Sequence, residues 1–241
     1  MRVLPFLIAV PLAACSFNSD ASPPGDSGSR ATRSFAIADF TGVALRGSDD
    51  VDVRVGSGFS VRAQGPRSEL DKLEIVREGD TLRVGRKKNL GGFSWGSKQD
   101  RVKIFVTMPR IVAARIAGSG NMAIDRVAGA RFDADAAGSG DLSIGALAVP
   151  QAKLAVAGSG NITAKGAVER LAIHVAGSGN VAARGLKARG ATVSIAGSGD
   201  VTADVSGEAR VSMVGSGNVD LGPAAHCTTT KVGSGEVRCG G

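Results

Sequence analysis

One tetrad, Gly-Ser-Gly followed by Asn, Asp or Glu, recurs along the second half of the chain. It starts at Gly118, Gly138, Gly158, Gly177, Gly197, Gly215 and Gly233, with steps of 20, 20, 19, 20, 18 and 18 residues. Repeats of this period mark a solenoid, in which each unit is too small to bury a core alone and must stack on its neighbours.

Aligned on the first Gly, the repeats alternate apolar and polar residues on both sides of the tetrad. Ile116, Ala136, Val156, Val175, Ile195 and Met213 lie two residues before it. Ala114, Ala134, Leu154, Ile173, Val193 and Val211 lie four before, and Val112, Phe132, Ala152, Leu171, Ala191 and Ala209 six before. Met122, Leu142, Ile162, Val181, Val201, Val219 and Val237 lie four after, and Ile124, Ile144, Ala164, Ala183, Ala203 and Leu221 six after. Period-two alternation means strands with one buried face. Stacked about 4.8 Å apart, they predict an all-β, single-domain parallel β-helix with 18–20 residues per coil. Right-handed winding is the default for parallel crossovers. Composition agrees. Gly contributes 35 of 241 residues, there is no Tyr and one Trp, yet 43% of the chain is hydrophobic. The core must be built from small and β-branched side chains.

The tetrad reads as a corner. Gly supplies positive φ, and Asn and Asp tolerate the left-handed region and bond local backbone. The fourth position forms a column of Asn121, Asp141, Asn161, Asn180, Asp200, Asn218 and Glu236. Stacked amides form ladders, whereas adjacent carboxylates repel, and no two acids are adjacent here. A Ca²⁺ site needs several carboxylates, which this Asn-rich column lacks; no metal and no cofactor is expected.

Gly47-Ser48-Asp49-Asp50 is a degenerate copy with Val43 and Leu45 before it and Val51 and Val53 after. Strands are expected on both sides of Gly56-Ser57-Gly58, a helical turn over 68–73, a hairpin turning at Gly79-Asp80 and a strand over 101–109. This irregular β-rich part, 35–112, should cap the solenoid of 113–241. At the other end Cys227 and Cys239 lie six before and six after Gly233. Both fall in inward columns, so a disulfide there would close the last coil and contribute about 3 kcal/mol in the chain-entropy model.

The N-terminus carries an address. Val3–Ala14 is an apolar run of 12 residues behind Arg2, too short to span a bilayer. Its end, Leu12-Ala13-Ala14-Cys15, resembles the bacterial lipobox, which implies a lipoprotein signal over 1–14 and a lipid on Cys15. Ser16 in place of Asp implies the outer membrane. Residues 15–34 read as a polar tether.

The tetrads, the leader and the β-rich segment resemble the auto-transporter adhesin head GIN domain family, over about Phe35 to Gly241. The resemblance implies a β-helix of the bacterial cell envelope, with adhesion suggested by the name alone and no catalytic residues to transfer.

Chemistry is sparse. His174 and His226 belong to no nucleophile motif. Carboxylates on the stacked faces, such as Asp133 and Asp135, are scattered candidates for the pair that a polysaccharide-active β-helix would need. The strongest binding signal is basic and aromatic. Arg86, Lys87, Lys88, Phe93, Trp95, Lys98 and Arg101 flank or occupy a Gly-rich stretch suited to an anionic glycan or lipid surface. The chain has 29 Lys and Arg against 22 Asp and Glu, but an exported, lipid-anchored product excludes nucleic acid as partner. The expected function is a non-enzymatic envelope lipoprotein binding polyanions, glycans or protein partners. The alternatives are a polysaccharide-active enzyme and a periplasmic assembly or stress accessory.

Overall fold

The computed structural model describes residues 30–87 and 101–240. From residue 113 on, the chain winds as a parallel β-solenoid. In Leu142–Gly158 (β11) the burial alternation slips at two exposed pairs, Gly145–Ala146 and Pro150–Gln151. Each slip turns the strand, so with the tetrad a coil has three short sides. Leu142 and Ile144, Leu147 and Val149, and Ala152, Leu154 and Val156 point inward from those sides.

Stacking keeps one register on the strands that flank each tetrad and shifts at the next corner, between Ile144 and Leu147 in β11. Arg131–Gly138 (β10), β11, Ile162–Gly177 (β12) and Val181–Gly197 (β13) pair in parallel, placing Ala136, Val156, Val175 and Ile195 in one column. Val201–Val205 (β14), Glu208–Gly215 (β15) and Val219–Asp220 (β16) continue the stack. The inward columns read from the repeat are the observed core, with one exception. Val112 is 37% exposed and Ile111 is buried in its place. The chain is still bending into Ala113–Gly118 (β8) at that point, held by the Val112 N–H to Thr41 O at 2.8 Å.

The N-terminal part is one body with the solenoid. Gly42–Gly47 (β2) stacks in parallel on β8, and Asp50–Val55 (β3) on Met122–Ala128 (β9). One layer further out, Thr81–Arg86 (β6) lies parallel to β2 and Lys103–Met108 (β7) parallel to β3. Antiparallel strands then end the stack. Leu73–Glu78 (β5) pairs with β6, Ser60–Pro66 (β4) with β7, and Arg30–Phe35 (β1) with β4. The helix Arg67–Lys72 (α1) joins β4 to β5 and sets Leu70 into the core end, with Phe40 and Phe59 packed 4.9 Å apart nearby. The two strands around Gly56, the helical turn and the hairpin all lie where the sequence placed them.

Residues 15–29 of the tether expected over 15–34 lie outside the described residues, and the remainder is strand. Arg30–Ser34 lie in β1, where Ala31 and Phe35 pack against the core. Two apolar residues are a faint signal, and the ordering comes from the free edge that β4 offers.

At the C-terminal end, His226–Val232 (β17) stacks on β15 and Val237–Arg238 (β18) on β16. The disulfide between Cys227 and Cys239 is present. Cys227 lies over Ala209, and both sulfurs belong to side chains packed on the core. The other inward positions of β17 are Thr229 and Lys231, over Val211 and Met213. Lys231 Nζ donates to Gly235 O at 2.7 Å, so a polar layer finishes the stack.

Candidate functional site

The tetrad corner is built by backbone approach. A Cβ on Gly158, at φ +126°, would lie 2.4 Å from Gly138 O, and one on Gly160 would lie 2.2 Å from Gly140 O. With no Cβ there, Ser159 N–H and Gly160 N–H both reach Gly138 O, at 2.8 and 3.0 Å.

Beside it runs a continuous side-chain ladder that begins at Asp50. Asn121 donates its backbone N–H and Nδ2 to Asp50 Oδ1 at 3.1 and 3.0 Å. Asp141 N–H donates to Asn121 Oδ1, and Asn161 gives N–H and Nδ2 to Asp141 Oδ1 at 3.0 and 2.9 Å. Asn180 repeats this on Asn161, Asp200 N–H follows on Asn180, Asn218 on Asp200, and Glu236 N–H on Asn218. Each Asp therefore carries an Asn directly above it, which supplies the donor that a carboxylate lacks. The column is a corner ladder along its whole length. Glu236 also pairs with Arg238 at 2.9 Å, and that hydrogen bond holds its carboxyl below its ordinary pKa.

The flanks of the basic aromatic stretch lie in the end layer. β6, which ends at Arg86, pairs with β2, and β7, which begins at Lys103, pairs with β3. Lys88, Phe93, Trp95 and Lys98 lie outside the described residues. The flanking residues are placed. Arg86 is an anchor, contrary to the sequence reading. Its Nε and Nη2 donate to Asp49 at 3.0 and 2.7 Å and its Nη1 to Glu69. Asp49 is fully buried, and Val102 N–H also donates to its Oδ1 at 3.1 Å. One carboxylate thus fastens both ends of the segment. A buried carboxylate demands a cation, which is why Arg86 turns inward. The Asp49 hydrogen bonds, ahead of those from Glu69, outweigh burial and raise the Arg86 pKa. For Glu69, burial works toward a higher pKa, but hydrogen bonds from Lys72 and Arg86 prevail and lower it. Lys87 donates to Asp71 O at 2.8 Å, and Arg101 lies 3.6 Å from Asp50.

The degenerate tetrad carried the missed signal. Asp49 occupies a position that is Gly in the seven later copies, and its carboxylate is the one that Arg86 and Val102 N–H hold.

The other candidates are engaged elsewhere. Asp133 is held by Arg131 at 2.5 Å and Asp135 by Arg115 at 3.4 Å. His174 and His226 are exposed. Among the described residues no group of three or more His, Cys, Asp or Glu converges to hold a metal ion. A shallow hollow of about 310 Å³ lies at the last corner, lined by Asn218, Val219, Asp220, Glu236 and Arg238. There a hydrogen bond from Arg184 holds Asp220 below its ordinary pKa.

Similar proteins share this architecture. A "putative adhesin" of Bacteroides fragilis has a TM-score of 0.79 at 20% identity, covering 88% of this chain and 97% of that one. A "putative lipid binding protein" of Parabacteroides distasonis has a TM-score of 0.70 at 24% identity, with the same coverages. A "putative adhesin" of Parabacteroides merdae has a TM-score of 0.69 at 17% identity, covering 88% and 96%. No curated protein matches the chain. The model of the family described as "putative auto-transporter adhesin, head GIN domain" matches residues 39–222, from the cap strands through the last full coil. The match spans most of the chain, which therefore belongs to the auto-transporter adhesin head GIN domain family.

Proposed function

We propose that this adhesin-like head is a non-enzymatic lipoprotein of the cell envelope, held by a lipid on Cys15 at the outer membrane. It binds an anionic envelope polymer or partner through the basic aromatic segment of its N-terminal end. The observation that supports this reading is the double fastening at Asp49. Arg86 and Val102, which flank the stretch that carries Lys88, Phe93, Trp95 and Lys98 in the sequence, are both tied to one buried carboxylate. Fixing the ends lowers the entropy that binding must overcome. Charge agrees. Residues 30–112 hold 16 Lys and Arg against 10 Asp and Glu, whereas 113–241 hold 12 against 10.

Two measurements test the reading. Metabolic labelling with palmitate should mark the wild type and not Cys15→Ser; an unlabelled wild type removes the anchor. Titration with lipopolysaccharide and with its lipid-free polysaccharide should show binding that Lys88→Gln/Trp95→Ala/Lys98→Gln abolishes. Unchanged binding by that variant removes the segment from the function.

A further inference from the structure

The chain enters the described fold at Arg30, on β1, the outermost strand at the N-terminal end. The outward face of the sheet that begins there is basic. Register places Arg62 of β4 beside Phe105 of β7, and Phe105 beside Asp52 of β3. Lys103 lies one outward position from Phe105, with its Nζ 5.2 Å from the ring centroid. Arg54 lies one outward position from Asp52, and Arg101 borders Asp50.

Five cations, Arg30, Arg54, Arg62, Arg101 and Lys103, thus share two carboxylates, at loose distances. Arg54 and Lys103 lie 3.4 and 3.8 Å from Asp52, and Arg101 lies 3.6 Å from Asp50. Arg30 and Arg62 have no carboxylate partner among the described residues. Further along the sheet the same outward column becomes Ala123, Ser143, Thr163, Ala182 and Thr202. That column carries no charge over five consecutive positions, and at its far end Asp220 and Arg238 are paired with Arg184 and Glu236. The excess of cations over carboxylates gathers at the end where the described chain enters at Arg30.

We propose that this face, Arg54, Arg62, Arg101 and Lys103 around Phe105 with Arg30 at its edge, docks on the anionic headgroups of the membrane that holds the lipid. The proposal rests on the anchor reading above and names the surface on which the domain lies. Fifteen residues separate Cys15 from Arg30, a reach of at most about 50 Å. The face therefore stays near the bilayer but outside the screening length of about 8 Å unless it turns onto the surface. Once there, each cation contributes about 5-fold to the affinity. Phe105, half-buried on the sheet, adds apolar surface among these cations.

The test uses the chain from residue 15 with Cys15→Ser, its disulfide intact, sedimented with vesicles. Binding is expected to phosphatidylglycerol-containing vesicles and not to phosphatidylcholine alone, and it should weaken as salt rises. Arg54→Gln/Arg62→Gln/Lys103→Gln should lose about 100-fold, at about 5-fold per cation. Lys153→Gln/Lys187→Gln/Arg210→Gln, with the same charge change on the other sides of the solenoid, should bind like the parent. Equal binding to both vesicles, undiminished binding by the first triple variant or an equal loss in the second overturns the proposal. So does tighter binding, charge for charge, to soluble dextran sulfate. Because this protein carries no acyl chain, a negative result leaves the anchor standing. An unlabelled wild type in the palmitate experiment removes the anchor and leaves the vesicle result untouched.

Discussion

Asn161→Asp tests whether the column orders itself by charge. In the wild type Asn161 Nδ2 donates to Asp141 Oδ1 at 2.9 Å, and Asn161 Oδ1 accepts from Asn180. The substitution keeps the acceptor, removes the donor and sets a second carboxylate over the first. The lost bond costs about 1 kcal/mol net at this partly exposed site. Two charges about 5 Å apart repel by about 1 kcal/mol at the dielectric of water and about 3 kcal/mol at an effective value of 20. The total is about 2–4 kcal/mol, which for a domain of this size lowers Tm by about 5–10 °C. Repulsion raises the folded-state pKa of the new pair, so the destabilisation is fully present above the ordinary carboxylate range. It diminishes as pH falls through that range and both groups are protonated. Thermal melts followed by circular dichroism at neutral pH and near pH 4 read both effects. The decisive arm is the exchange Asp141→Asn/Asn161→Asp. It restores an order with no adjacent acids, and most of the lost Tm should return. If the exchanged variant melts no higher than Asn161→Asp alone, charge order in the column is irrelevant and the reasoning fails.

The remaining predictions concern the corner and the two ends. Gly160→Ala would need the coils to part by about 1 Å around Gly140 O, loosening several inter-coil hydrogen bonds at about 1 kcal/mol each; soluble, folded protein with a wild-type Tm would contradict the close-approach account. Asp49→Ala leaves Arg86 without its buried partner and Val102 N–H without an acceptor. The expected loss is about 2–3 kcal/mol in a denaturant titration, the low end for a buried pair because Arg86 is 31% exposed and keeps Glu69. Reduction of Cys227–Cys239 removes a constraint of about 3 kcal/mol, so hydrogen exchange should rise first in β17 and β18, not uniformly. Glu69 and Asp220 have folded-state pKa values below their ordinary ones, so each contributes stability that is present at neutral pH. That contribution is lost as pH falls from the ordinary carboxylate range through the lowered values. Glu69→Gln/Asp220→Asn should therefore flatten the acid limb of a Tm-against-pH curve, and an unchanged limb would place the acid sensitivity elsewhere.

Much of this protein is readable from one dimension because its structure repeats in one dimension. Each coil sees only its neighbours, so the spacing of Gly158, Gly177 and Gly197 states the stack, and alternation about each tetrad states which side chains enter it. Cys227 and Cys239 flank the last tetrad at equal distances, which is enough to pair them. Where the repeat stops, that logic stops. The sequence marks Arg86 as one cation among several, and only the fold brings it to Asp49, 37 residues away, where burial of the carboxylate demands a cation. β1 looks like tether because its order comes from the edge of β4 and not from its own composition. Arg54, Arg62 and Lys103 belong to three strands, and only the parallel pairing of β3 with β7 and the antiparallel pairing of β4 with β7 lay them on one face. Local periodicity determined the columns; the ends of the stack, where exposed edges and a buried charge must be satisfied, were decided by tertiary contacts.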